Sequence, residues 1–179
     1  YSNLYKYLKN DLESVIMDNK NTVKAFKSET GISTDKLRQF AHFGDGPKFE
    51  ITDLGYDEDN QKVDGHWQSG YEKHATDGVT GPFNFKDGTI QMDKKLADDC
   101  EAILKNAQGK DNDYKSGVVM RYLKHFFTHE IGHGAIEETG KKVKGETGYR
   151  VEQKAYGYVA NYSNGKFQKG KLEESIFDK

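Results

Sequence analysis

Apolar side chains recur at intervals of three and four residues along the first forty positions. They stand at Leu4, Leu8, Leu12, Val15, Ile16, Val23, Phe26, Leu37 and Phe40. This period is that of one face of an amphipathic helix. Ser33, Thr34 and Asp35 come just before the last two of these positions, where N-cap residues are expected. We therefore predict a helical N-terminal part over residues 1–42.

The pattern changes after residue 42, where Gly, Asp and aromatic residues become frequent. Apolar and polar side chains alternate at 49–51 and at 83–85, and the short run 89–92 has the same character. Alternation with period two is typical of half-buried strands. The sequence therefore predicts a small sheet with many loops over residues 43–92.

Helical periodicity returns for the rest of the chain, residues 93–179. Asp93 is expected to cap a helix that ends near Gln108 and Gly109, before a polar turn at residues 111–113. A longer and more apolar helix is predicted from about Lys115 to Glu138, because Gly140 follows it.

A last helix is predicted from about Tyr149 to Tyr162, with a charged tail after Gly165. The helical N-terminal part, the sheet region and this helical part together predict a single α+β domain. That assignment suits 179 residues, since domains of about 100–150 residues are the commonest.

Charge and cysteine content exclude several classes of protein. Lys and Arg number 27 against 29 Asp and Glu, and they are not segregated into a basic face, so a nucleic-acid partner is not expected. One cysteine, Cys100, cannot form an intramolecular disulfide. No stretch approaches the roughly 18 apolar residues of a membrane span, so none is expected.

The long helix contains the sequence His129-Glu130-Ile131-Gly132-His133, which is an HExxH motif. Two His at i and i+4 project from one helical face, so both imidazoles can bind one Zn²⁺. Glu130 would then accept a proton from the zinc-bound water as it attacks a carbonyl and pass it to the leaving amine. The motif predicts metal-assisted hydrolysis of peptide bonds.

A catalytic zinc site needs a third protein ligand. Glu152 is the first candidate, because it lies on the next predicted helix, which can pack across the first one. Glu137 and Glu138 are alternatives if the long helix continues regularly past Gly134. His125 lies one turn before His129, and is too far along the helix from His133 for all three to bind one ion.

The oxyanion of the tetrahedral intermediate also needs a donor. Tyr156 follows Glu152 by four residues and shares its helical face, so it is the first choice for a catalytic donor. Tyr149, three residues before Glu152, is the second.

These residues carry a resemblance to a known group of enzymes. The HEIGH sequence followed by Glu152 resembles the zincin metallopeptidases of the gluzincin kind, in which HExxH is followed by a downstream Glu. The metzincin continuation is absent, since Ile136 and Thr139 stand where its Gly and third His would be. The aspzincin pattern is also broken, because Gln153 occupies its Asp position.

A small domain of this sort is similar to the metallopeptidase toxin domains of bacterial polymorphic toxins and secreted effectors. The resemblance implies a zincin-like fold with a strand above the active-site helix and a zinc ion on His129, His133 and Glu152. It also implies a protein or peptide substrate, a cognate immunity or inhibitor protein, and secretion or delivery as part of a larger bacterial protein. The beginning at Tyr1 rather than Met is in line with a processed or excised chain.

Two other functions stay open from the sequence. One is a peptidase of the peptide crosslinks of the cell wall. The other is a binding module without catalysis, in which zinc only stabilises the fold. A closed site with four protein ligands would favour the module, and a position left open for water beside Glu130 would favour the enzyme.

Overall fold

The structure is a computed structural model that describes residues 1–107, 114–163 and 165–170. Four helices come first, then a region of strands and short helices, then three helices and a hairpin. The elements are α1 (Ser2–Asn10), α2 (Leu12–Met17), α3 (Lys20–Thr30), α4 (Thr34–Ala41), β1 (Lys48–Thr52), β2 (Gly65–Gln68), α5 (Gly70–Lys73), β3 (Thr89–Asp93), α6 (Lys94–Asn106), α7 (Tyr114–Thr139), α8 (Thr147–Tyr156), β4 (Val159–Ser163) and β5 (Lys166–Gly170). The predicted α+β class is confirmed.

Helices α1 to α4 confirm the helical prediction for the first part of the chain. The Asn19 side chain caps α3, and the Ser33 side chain accepts a hydrogen bond from the backbone N–H of Lys36 at the start of α4. Phe26 and Leu37 on their apolar faces are fully buried. These helices therefore supply one side of the core into which α7 is inserted.

A three-stranded mixed sheet has the order β1-β3-β2, with β1 parallel and β2 antiparallel to β3. The central strand β3 was predicted, and its Ile90 and Met92 are buried. The strand predicted at 83–85 is wrong. The Asn84 side chain accepts a hydrogen bond from the backbone N–H of Lys86, and the backbone N–H of Asn84 donates to the Asp87 side chain. These two hydrogen bonds cap a 3₁₀ turn over Phe85–Asp87, which takes the place of the strand.

Helix α7 runs through the core. Val119, Leu123, Phe127, Ile131 and Ala135 recur every four residues along it, and all are almost completely inaccessible to solvent. Helices α3, α6 and α8 and strand β2 pack around it. The helix that carries the HExxH motif is thus held on several sides by packing.

Helix α8 is shorter than predicted. It ends at Tyr156 because Gly157 adopts a left-handed conformation, with φ of +81°, and caps the helix. The chain then returns as the antiparallel hairpin β4-β5, which the sequence did not predict as strands. The predicted turn at 111–113 and helix end at Gln108 and Gly109, and the part of the predicted charged tail that follows residue 170, lie outside the described residues.

No helix in the described ranges combines the length and apolarity that a bilayer crossing requires.

Candidate metal centre

Two imidazole nitrogens of helix α7 face one another. His129 Nε2 and His133 Nε2 are 3.2 Å apart, as expected for side chains separated by one helical turn. The two rings meet edge to face with their centroids 4.9 Å apart. The motif therefore brings both His together as the sequence predicted.

A carboxylate from the start of α8 completes this group. Glu146 Oε1 lies 2.7 Å from His133 Nε2 and 3.5 Å from His129 Nε2. The same oxygen accepts a hydrogen bond from the Gly148 N–H and thereby caps α8. Within the described residues, His129, His133 and Glu146 form the group whose ligand atoms converge closely enough to hold a metal ion.

Glu152 lies on the other side of the His129 ring. Its Oε2 accepts a hydrogen bond from His129 Nδ1 at 2.9 Å, and its Oε1 lies 2.8 Å from His125 Nδ1. The backbone N–H of Ala160 donates to Oε1 as well. The structure therefore places this predicted ligand behind His129, outside the group of three converging atoms, where it fixes the orientation of the ring.

The other candidates for the third ligand lie elsewhere. Glu137 accepts a hydrogen bond from the Trp67 indole N–H at 3.0 Å. Glu138 accepts one from the backbone N–H of Phe85 at 3.3 Å. His125 is buried against Glu152, as described above. None of these side chains belongs to the group formed by His129, His133 and Glu146.

Glu130 is directed toward strand β2. Its side chain is almost fully buried, and Oε2 has no hydrogen-bond partner among the described residues. A Cβ at Gly65 would stand 2.8 Å from Glu130 Oε1, so only glycine lets the β2 backbone come this close. Burial is the main reason why the pKa of Glu130 is raised.

The electrostatics of the site favour a positive charge between its carboxylates. Burial lowers the pKa of His129, but the hydrogen bond to Glu152 and the nearby Glu charges outweigh this and raise it to about 9. Burial raises the pKa of Glu146, but the hydrogen bond and charge of His133 outweigh this and lower it to about 2. Glu146 and Glu152 thus surround His129 with negative charge.

Helix α8 approaches His129 very closely. A Cβ at Gly148 would lie 2.6 Å from two carbons of the His129 ring, so a larger residue would push the ring or the helix away. The Tyr149 ring then meets the His129 ring edge-on, with centroids 4.5 Å apart. Glu146, Gly148 and Tyr149 at the start of α8 thus all lie close to His129.

A cavity of about 990 Å³ opens beside these residues. His129, Glu130 and Tyr149 line it, as do the loop at 56–65 and hairpin β4-β5. Its volume is at the upper end of the range of about 300–1,000 Å³ that is typical of ligand sites. The cavity therefore extends to the side chain of Glu130.

The two tyrosines named from the sequence have different surroundings. Tyr149 lines the cavity, and burial raises its pKa to about 12, so its hydroxyl stays protonated at neutral pH. The Tyr156 hydroxyl lies 2.8 Å from Thr128 Oγ1, and Tyr156 is not among the residues that line the cavity. The structure thus brings Tyr149 and not Tyr156 to the cleft.

Comparison with known proteins agrees with this chemistry. The profile of the family described as metallopeptidase toxin 3 matches residues 1–157. The chain belongs to the metallopeptidase toxin 3 family. No curated protein and no solved structure matches it significantly. Membership of the metallopeptidase toxin 3 family makes the chain a metallopeptidase, and thus a hydrolase with a metal ion and a protein or peptide substrate.

Sequence reasoning missed one member of the candidate metal centre of this metallopeptidase toxin 3 chain. Glu146 stands in a Lys- and Gly-rich stretch that reads as an exposed connection. In the structure Glu146 stands directly before α8, where a side chain can be both an N-cap and a ligand, but the helix was predicted to begin later, at about Tyr149. The metallopeptidase toxin 3 profile ends at residue 157, so hairpin β4-β5 lies beyond the matched region.

Proposed function

We propose that the chain is a zinc-dependent peptidase toxin that cleaves peptide bonds in proteins of a target cell, with Glu130 as the general base. The observation that carries this proposal is the convergence of His129, His133 and Glu146. Glu130, which follows His129 on the same helix, has an unpaired Oε2 and lines a cavity together with His129. The family supports a metallopeptidase toxin.

The donor set and its spacing fit zinc. Two imidazoles and one carboxylate are the protein ligands of many catalytic zinc sites, which leave a fourth position open. Bond lengths of about 2.0–2.1 Å in a tetrahedral site correspond to ligand atoms about 3.3–3.4 Å apart. The separations of 2.7, 3.2 and 3.5 Å among His129 Nε2, His133 Nε2 and Glu146 Oε1 are close to this value.

A zinc ion on these three residues would polarise the substrate carbonyl and acidify a water molecule. Glu130 supplies the proton carrier. Burial raises the proton affinity of its carboxylate, which suits a group that first accepts a proton and then donates it to the leaving amine. Its unpaired Oε2 is free to take part in this transfer.

Glu152 and Tyr149 have supporting roles in this proposal. A carboxylate accepts hydrogen bonds and does not donate them, so Glu152 would keep a proton of His129 on Nδ1 and orient Nε2 toward the metal position. Tyr149 replaces Tyr156 as the proposed donor to the developing oxyanion, because it lines the cavity next to His129.

The experiment is a comparison of the zinc-loaded wild type with Glu130→Gln on unfolded protein substrates. We expect Glu130→Gln to keep one zinc per chain and to lose about 10²–10⁴-fold in kcat, because the ligands remain and the base is gone. Equal activity of the two proteins would refute the mechanism. A zinc-loaded wild type without any hydrolysis would favour the non-catalytic module.

We also propose that the toxin acts after delivery as part of a larger bacterial protein and that the producing cell protects itself with a cognate inhibitor protein. The membership of a toxin family supports this. If the target proteins lie inside the cell, expression in the bacterial cytoplasm should slow growth for the wild type and not for Glu130→Gln. Equal growth of the two strains, at equal protein levels, would contradict an intracellular target.

A further inference from the structure

A carboxylate without a partner lies in the cavity, outside the candidate metal centre. Asp64 directly precedes Gly65, where a Cβ would stand 2.8 Å from Glu130 Oε1, and it lines the same cavity as His129 and Tyr149. Its backbone carbonyl accepts a hydrogen bond from the Asp93 N–H at 2.8 Å, which fixes this part of the chain. Asp64 is thus held at the entrance to strand β2, next to the proposed general base.

The Asp64 carboxylate has neither a hydrogen bond nor an ion pair to any of the described residues, although its side chain is partly buried. The cavity contains two lysines that could have neutralised it, and both are engaged. Lys62 Nζ lies 2.8 Å from Asp93 Oδ1, and Lys95 Nζ lies 2.7 Å from Asp99 Oδ2. The charge of Asp64 is therefore available to a group that enters the cleft.

Asp64 lines the cavity together with Tyr122, Tyr149 and Tyr162. Burial is the largest cause of the raised pKa values of Tyr122, Tyr149 and Tyr162, and the Asp64 charge contributes in all three cases. A negative charge that acts on three phenols of the cavity acts equally on a ligand bound between them.

Keeping this carboxylate in place costs stability. Partial burial and the charge of Asp93 raise the pKa of Asp64 to about 6, against the weaker opposing effect of Lys62. An asparagine of the same shape would avoid this cost. Side chains that are held ionised in unfavourable surroundings are concentrated at functional sites.

We propose that Asp64 is a specificity-determining residue, which binds the side chain of a lysine or arginine in the substrate close to the cleaved bond. The inference rests on the proposed peptidase function and adds the class of substrate to it. An ammonium or guanidinium group supplies the partner that Asp64 lacks, in a partly desolvated position where such a hydrogen bond is strong. A neutral or acidic side chain would leave the carboxylate unpaired or repelled.

Peptide binding and peptide hydrolysis are measured separately to test the role of Asp64. The probes are fluorescein-labelled, alanine-rich hexapeptides that differ only in a central Lys, Arg or Gln, offered at pH 8 to zinc-loaded Glu130→Gln. We expect the Lys and Arg peptides to bind about 3- to 5-fold more tightly than the Gln peptide, which is the effect of one partly exposed ion pair. Adding Asp64→Asn should abolish this difference. Equal affinities for the three peptides in Glu130→Gln would overturn the proposal.

Asp59→Asn is the matched control. Asp59 carries the same charge on the same loop, but it is exposed and does not line the cavity, so this variant should keep the preference. Wild type is then tested for hydrolysis of the same peptides. Absence of hydrolysis would count against the peptidase function, while a preference for basic peptides that depends on Asp64 would still support the role of Asp64.

Discussion

Glu152 accepts a hydrogen bond from Nδ1 of His129 at 2.9 Å, on the side of the imidazole ring opposite to Nε2. Nε2 faces His133 and Glu146. Glu152 therefore contacts the Nδ1 side of His129, and Glu146 lies on the Nε2 side. The sequence predicted Glu152 as the third metal ligand, whereas in the structure it is Glu146 that lies within reach of both His129 Nε2 and His133 Nε2.

Replacing Glu152 should weaken zinc binding without abolishing it. In Glu152→Gln the amide cannot hold both His125 and His129 in the same way, and loss of such a partner typically costs 10–100-fold in metal affinity. The stoichiometry should remain one zinc per chain in a chelator competition titration. Complete loss of zinc in Glu152→Gln, with tight binding kept in Glu146→Ala, would show that Glu152 is the ligand after all.

The two tyrosines should respond differently to removal of the hydroxyl. Tyr149→Phe should lower kcat by about 10²-fold with little change in zinc binding, because a donor in the cleft is lost. Tyr156→Phe should leave kcat unchanged and cost about 1 kcal/mol of stability, since it loses its hydrogen bond with Thr128. Steady-state kinetics and urea unfolding measure these effects, and the reverse pattern would restore Tyr156 as the donor.

Gly148→Ala should disturb the metal centre by steric contact alone. Its Cβ would lie 2.6 Å from the His129 ring, and overpacking of this kind costs about 1–3 kcal/mol. Gly117→Ala is the matched control, since its Cβ would meet nothing nearer than Arg121 at 3.7 Å and alanine favours a helix. Thermal unfolding and zinc titration should show losses for Gly148→Ala and a gain in stability for Gly117→Ala. Equal behaviour of the two variants would contradict the close approach of α8 to α7.

The sequence was informative where local chemistry decides the structure. The motif from His129 to His133 lies on a helix in which both His must share a face, and Asp93 caps a helix with its own side chain. Long-range packing decided the rest. Which of Glu146 and Glu152 faces His133 depends on the angle and depth at which α8 crosses α7, and that depends on the contact between Gly148 and the His129 ring.

The strand predicted at 83–85 and the predicted helix end at Tyr162 are wrong for local reasons. The periodicity of hydrophobic residues does not contain this local information. Asn84 forms a capping box, which interrupts an alternating pattern. Gly157 ends α8 early, and Ala160 then donates its N–H to Glu152 from an extended segment. Asp64 carries no sequence motif, so its place in the cleft became visible only from the fold.

The stability of the chain should depend on pH through Asp64. Its pKa rises on folding to about 6 by partial burial and by the charge of Asp93, despite Lys62. The folded state thus binds this proton more tightly, so its contribution is fully present below about pH 4 and is lost as pH rises through about 6. Asp64→Asn should therefore gain stability relative to wild type as pH rises from 4.5 to 7.5.

Urea unfolding of Asp64→Asn and wild type at these pH values measures the difference. The control is Asp59→Asn, which removes the same charge from the exposed part of the loop. A difference for Asp64→Asn that is constant, or that shrinks toward pH 7.5, would contradict the partly buried and unpaired carboxylate.

The most direct test of the proposed metal centre is the zinc content and zinc affinity of wild type beside Glu146→Ala, measured by equilibrium dialysis and elemental analysis. His129, His133 and Glu146 supply the three converging ligand atoms, so wild type should bind one zinc per chain. Glu146→Ala should lose it or bind it far more weakly, while circular dichroism shows that the fold is kept. A wild type that takes up no zinc, or a Glu146→Ala variant that binds it as tightly as wild type, would contradict the account.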